Sequence, residues 1–233
     1  NRRLFATGRR PAQTRGLTMD FTFTPEQDDL RAAVRRLLAR GDGPLWTKMT
    51  GELGLTALAV PAGHGGFGAS WVEVAIALEE VGAALAPVPL LATVTAAACV
   101  DPATPAGAAL LPALAAGDTV ATLALDGNCV AGPDGLTGVV THVLDGDAAD
   151  VAIVAATRAL YAVPLTAARR TVHPTLDQTR AQATLEFTDA KGAIVRHVTS
   201  KDRNGPAGSP GLHRYIWDMR YTDAHGVDGG TFL

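Results

Sequence analysis

Cysteine is scarce. Cys99 and Cys129 are the only two in 233 residues, too few and too unpatterned for a disulfide framework or a cysteine-based metal site, so a reducing cytoplasm is the default setting. Aromatic residues make up 5% of the chain and charged residues 18%, and with abundant alanine this composition fits a soluble, helix-rich protein. Long apolar runs are missing too. The best candidate for a membrane span, Leu85 to Val100, is broken by Pro87 and Pro89 and interrupted by threonines, so it is expected to be a core helix. Acidic residues are absent from the first eighteen positions, which hold five arginines, so a net charge of -3 leaves -3 minus 5, or -8, on the rest. That balance excludes nucleic acid as a partner of the folded part. No Ser/His/Asp arrangement, metal cluster or phosphate loop is visible, and the glycine run at 63–68 follows no βαβ strand, as a dinucleotide fingerprint would.

What is present is enough for a core: 47% of residues are hydrophobic, in a length that suits one large or two ordinary domains. The chain opens on Asn1, and Met19 begins a sequence typical of a protein start. Residues 1–18 share an Arg-rich, acid-free character with mitochondrial-type transit peptides; they are expected to be a disordered leader.

The stretch from Leu45 to Val100 organises the rest. In GHGGFGAS, residues 63–70, four glycines permit backbone angles that side chains forbid, so the chain must turn. Ser70 and Glu73 then form a capping box for a helix apolar nearly all round, with Val74, Leu78, Val81 and Leu85 on one stripe. Upstream, Thr24, Pro25 and Gln27 start another helix with a stripe of Leu30, Val34, Leu37 and Leu38, stopped by Gly41. Thr104 and Pro105 open a short helix to residue 116 that Pro112 should kink or divide.

Beyond residue 118 the period changes. Runs at Thr119–Leu125, Val139–Leu144, Val151–Thr157 and Ala159–Leu165 are short, β-rich and bounded by Gly, Asp and Pro. Strands that follow helices in a block predict an α+β protein: an all-helical domain at 19–117, then a small antiparallel β domain at 118–188.

The wording of these segments resembles the acyl-CoA dehydrogenases. DFTFTPEQDDLRAAVRRLLAR resembles their first helix, and ELGL, AVPAGHGGFGAS and ALEEVGAALAPVPLLAT follow in the family's order. LLPALAAGDTVATLAL, VLDGDAADVAIVAA and VHPTLDQTRAQATLEF are similar to its middle domain, so the resemblance covers roughly residues 19 to 188. It implies FAD-dependent α,β-dehydrogenation of acyl-CoA thioesters, in fatty acid or steroid degradation, by a homo- or hetero-oligomer. It also implies a catalytic carboxylate from a C-terminal helical bundle that this sequence does not contain, so no catalytic residue is assigned and the chain is expected to be incomplete and inactive. Where the family has an LTEP-type motif beside the flavin ring, this chain has Leu125 and Asp126, then Gly127 and Asn128. Where it has WITNG, His142 takes the aromatic position and Leu144 the threonine position. Leu125, Asp126, His142 and Leu144 are the cofactor-binding positions implied, and the departures predict weak or absent FAD. Glu79 and Glu80 cannot both address one site, because helix neighbours point about 100° apart, and they are expected on a helix rim.

From Ala181 onward the residues predict a hairpin turning at Asp189–Gly192, with Gly192 suited to a positive φ. A strand of alternating character follows at Leu212–Tyr221, with Tyr215 and Trp217 on one face. DAKGAIVRH and GSPGLHRYIWDMRY resemble the Ig-like module of secreted sortilin-type propeller proteins, so residues 189–233 are expected to be a tail of different origin. That leaves an alternative function, a non-catalytic partner subunit or a binding module.

Overall fold

A computed structural model of the chain describes residues 22–41 and 43–197. The expected leader at 1–18 and the alternating run at Leu212–Tyr221 lie outside the described residues, as does most of the Ig-like tail.

Among the described residues, five α-helices come first. Helix α1 (Pro25–Arg40) is capped by the expected box: the Gln27 amide donates to the Thr24 hydroxyl at 3.3 Å and the Thr24 amide to the Gln27 side chain at 3.0 Å. Gly41, at φ 61, ends it in the left-handed conformation that lacks a Cβ penalty. Helix α2 (Leu45–Gly51) leads into the glycine turn and α3 (Trp71–Ala83), which opens on the predicted Ser70/Glu73 box. The turn folds back on itself, since Phe67, Gly68 and Ala69 donate to the carbonyls of Ala57, Val60 and Leu58 at 2.8 to 2.9 Å. Gly66 is obligatory here, because a Cβ on it would lie 1.9 Å from the Val60 carbonyl oxygen.

The α3 stripe is shifted from the expected one. Val74, Ala77 and Val81 are buried, Leu78 is half-buried, and Leu85 lies beyond the helix end with φ 49 and 65% exposure. The apolar pattern ran on past the point where the helix stops. Helix α4 (Leu90–Cys99) buries eight of its ten residues, as a core helix should. Helix α5 (Pro105–Ala116) runs through Pro112 undivided; Pro112 is exposed, so water can take the carbonyl that its missing N–H leaves unpaired.

Among the described residues, eight strands form two four-stranded sheets. The first has order β1 (Ala121–Ala124), β4 (Val151–Ala156), β5 (Ala159–Pro164), β8 (Ala193–His197); the second has order β2 (Val130–Ala131), β3 (Leu136–Leu144), β7 (Gln182–Ala190), β6 (Ala168–His173). The second sheet is antiparallel as expected, but β1 and β4 pair in parallel in the first. The excursion of β2 and β3 into the other sheet lets β4 return in the direction of β1.

The first sheet is covered on both faces. Ala152, Val154 and Ala156 of β4 face the second sheet, while Val151, Ile153 and Ala155 face the helices, with Leu111 and Leu114 of α5 among their neighbours. This explains why β4 reads VAIVAA, without alternation. A third cluster joins α1, α2, α3 and the start of α4 around Met49, Leu55 and Leu90.

The expected hairpin does not form. β7 is flanked by β3 and β6, so neither edge is open, and β8 crosses to pair with β5 in the other sheet. The positive φ of the connection falls on Asp189, at 52°, and not on Gly192. β7 runs through position 188, so residues 189–197 are built into the two-sheet unit.

Candidate functional site

The two segments expected at a cofactor come together. Gly127 bridges Val140 in antiparallel fashion, the Val139 amide donates to the Asn128 side chain at 2.8 Å, and Leu125 and Asp126 therefore run beside β3 near its bulge. Only glycine fits at 127, where a Cβ would meet a Val140 methyl at 2.5 Å and the Val139 carbonyl oxygen at 2.8 Å. Leu125 is 43% exposed and Asp126 is exposed.

On β3 the pairing with β7 skips from Val140–Leu185 to Val143–Ala183, so Thr141 and His142 together oppose Thr184. This is a bulge, and His142 takes its left-handed position at φ 57. The bulge turns the His142 ring onto His173 of β6: the ring centroids are 5.2 Å apart and the planes 17° from parallel. His173 is tied down in turn by a 2.7 Å hydrogen bond between its Nε2 and the Thr184 hydroxyl. Stacked rings send their lone pairs out in parallel planes, so this pair does not converge on one ion. Among the described residues no cluster of three or more His, Cys, Asp or Glu can hold a metal.

Leu144 is half-buried, and its carbonyl accepts the Thr122 hydroxyl at 2.5 Å. Thr122, fully buried on β1, thereby fastens the end of β3 to the first sheet. None of Leu125, Asp126, His142 and Leu144 carries a hydroxyl, and the hydroxyl of Thr122 on the neighbouring β1 is spent on Leu144.

Three features, two beside these positions and one away from them, escaped the sequence. His173 is brought to His142 only by the pairing of β6 with β7, and no local signal marks it. Asp145, next after Leu144, is 7% exposed and one of its carboxyl oxygens has no hydrogen-bond partner; burial pushes its carboxyl up to about 6, against the pull of Arg180. The third is the pair of glutamates on α3. Glu80 is not on a rim: its carboxylate is 5% exposed and accepts from Arg31 at 2.7 Å and Arg35 at 2.5 Å. Arg31 also reaches Glu79 at 2.8 Å, so one guanidinium spans the two carboxylates although they point apart. Hydrogen bonding from Arg35, then from Arg31, holds the Glu80 carboxyl below its ordinary range. The pair locks α1 to α3 and takes no part in the site.

Residues 24–118 match the family described as acyl-CoA dehydrogenase, N-terminal domain. The acyl-CoA dehydrogenase IpdE2 of Mycobacterium tuberculosis is 34% identical over 163 residues, and its namesake in Mycolicibacterium smegmatis is 40% identical over 67. The matched parts make up 69% and 29% of this chain but 46% and 21% of those proteins, so the chain spans less than half of either. Among solved structures, the ChsE4-ChsE5 complex of Mycobacterium tuberculosis has a chain with a TM-score of 0.64 and 25% identity, covering 77% of this chain and 59% of that one. The Tcur3481-Tcur3483 steroid ACAD, in a variant form, superposes with the same TM-score at 24% identity over 73% of this chain and 56% of that one.

Proposed function

We propose, on the match of residues 24–118 to the acyl-CoA dehydrogenase N-terminal domain family, that the chain is the helical and middle part of an acyl-CoA dehydrogenase-type subunit. In this reading it serves as the flavin-poor partner within a mixed oligomer that dehydrogenates CoA thioesters. The helical unit and the two-sheet unit support the architecture, and the names of its relatives, which include a steroid ACAD and the ChsE4-ChsE5 complex, support the substrate class and the mixed assembly.

One observation carries the flavin-poor assignment. A flavin ring edge rich in acceptors needs donors, and of the four positions facing it by resemblance the carboxylate and the two leucines supply none and His142 supplies a single imidazole N–H, while the Thr122 hydroxyl is already engaged with Leu144. FAD, if bound, would supply the acceptor for the substrate hydride. This chain's own contribution would be a wall: the His142–His173 stack and the half-buried Leu144.

The test is titration of the purified chain with FAD, followed by flavin fluorescence and by visible absorbance after gel filtration. The expected result is a colourless protein that leaves the fluorescence unchanged. Stoichiometric FAD retained through the column would overturn the assignment.

A further inference from the structure

Asp145 ends β3 with an unusual set of bonds. Its backbone is left-handed, at φ 51. Its amide donates to the Ala181 carbonyl at 2.8 Å, and its own carbonyl accepts from Ala148 at 3.2 Å and Ala149 at 3.0 Å. The main chain is thus satisfied, while the buried Oδ2 has no partner. An orphaned buried carboxyl oxygen is costly and calls for an explanation.

The residue before Ala181 supplies one. Arg180, in the connection between β6 and β7, lies close enough to Asp145 to act on its charge, yet its guanidinium donates elsewhere: Nη1 reaches the Val88 carbonyl at 3.3 Å, in the connection between α3 and α4. That bond is long for a charged donor. One guanidinium therefore bonds a backbone carbonyl of the helical unit and also acts on the charge of a carboxyl, one of whose oxygens is unpaired, just past the strand that carries His142 and Leu144.

We propose that Arg180 is a two-position latch, shared between the Val88 carbonyl of the helical unit and the Asp145 carboxylate of the two-sheet unit. With Asp145 protonated, the guanidinium gains nothing by leaving Val88 and the two units are tied at that point. With Asp145 ionised, a charged acceptor competes with a neutral one, the guanidinium turns to it, and the α3–α4 connection is released. The other charges around the pair set its balance. Asp147, from the β3–β4 turn, repels ionised Asp145, and Asp177, from the β6–β7 connection, attracts Arg180. Arg170 of β6 is committed to the Asp147 carbonyl at 2.8 Å, and the helical side contributes the Val88 carbonyl. Because the carboxyl is raised to about 6, the latch moves in the neutral to mildly acidic range. Low pH closes it. This inference does not depend on flavin or on the proposed function.

Hydrogen exchange tests it on the full chain. The Ala86 and Val88 amides donate to Val81 and Ala86 within the tied connection. After correction for intrinsic exchange, their protection should fall about tenfold between about pH 5 and about pH 7.5, while amides of α5 show no such step. Asp145→Asn should keep the protected level at every pH, and Arg180→Gln should keep the released level. A wild-type chain without the step, or a step of equal size that persists in Asp145→Asn, overturns the latch. If Asp145→Asn fails to fold, Arg180→Gln decides: a step that survives without the guanidinium refutes it, and a flat, released profile supports it.

Discussion

Burial sorts residues that look alike in the sequence. Leu85 and Leu90 flank one proline-containing connection, yet Leu90 is 1% exposed and Leu85 is 65% exposed. Leu90→Ala should lower stability by about 2 to 5 kcal/mol, and Leu85→Ala by less than about 0.5 kcal/mol. Chemical denaturation of the two variants checks the contrast, and equal losses would contradict it. Glu80 makes the electrostatic counterpart. Its folded carboxyl is held below its ordinary value by Arg35 and Arg31, so its contribution is present above the unfolded value near 4 and is lost as pH falls through the lower folded value. Glu80→Gln should cost about 1 to 3 kcal/mol at neutral pH and flatten the acid limb of the stability curve. A melting series from neutral pH down to about pH 3 reads both effects.

At the scale of elements, what was legible was local. The Thr24 and Ser70 capping boxes, the stop at Gly41 and the start at Thr104 depend on residues three or four apart, and each sits where the sequence put it. What was not legible depended on distant partners. The parallel pairing of β1 with β4 follows from where β2 and β3 go, and the missing hairpin follows from β3 and β6 having already occupied both edges of β7. His142 was placed on a strand correctly, but its bulge and its stack with His173 are properties of three strands together. The glycine turn lends itself to a paired test. Gly66→Ala would press a methyl into the Val60 carbonyl and should cost about 2 kcal/mol or more, whereas Gly63 has nothing within 4 Å and Gly63→Ala should be neutral or slightly stabilising. Thermal melts of the two variants decide it; a tolerated Gly66→Ala would mean that the turn can reshape.

At the scale of the whole molecule, three clusters of buried side chains are strung along the chain: one among α1 to α4, one between α4, α5 and the first sheet, and one between the sheets. The first sheet belongs to two of them, so the helical and β parts share a wall. Such a wall should make unfolding cooperative. Far-ultraviolet circular dichroism, dominated by helices, and the NMR amide signals of β4 and β5 in the two-sheet unit should therefore report one transition. Two well-separated midpoints would show that the parts melt independently.

The crossing of β8 also has a consequence for the order in which the protein is made. β5 is complete at residue 164, but the strand that covers its outer edge is not synthesised until residues 193–197. During that interval a nascent chain with three strands of the first sheet in place carries an open backbone edge, which is a template for pairing with a neighbouring chain. Chains released at residue 190 should aggregate on leaving the ribosome, whereas chains released after residue 197 should have that edge closed.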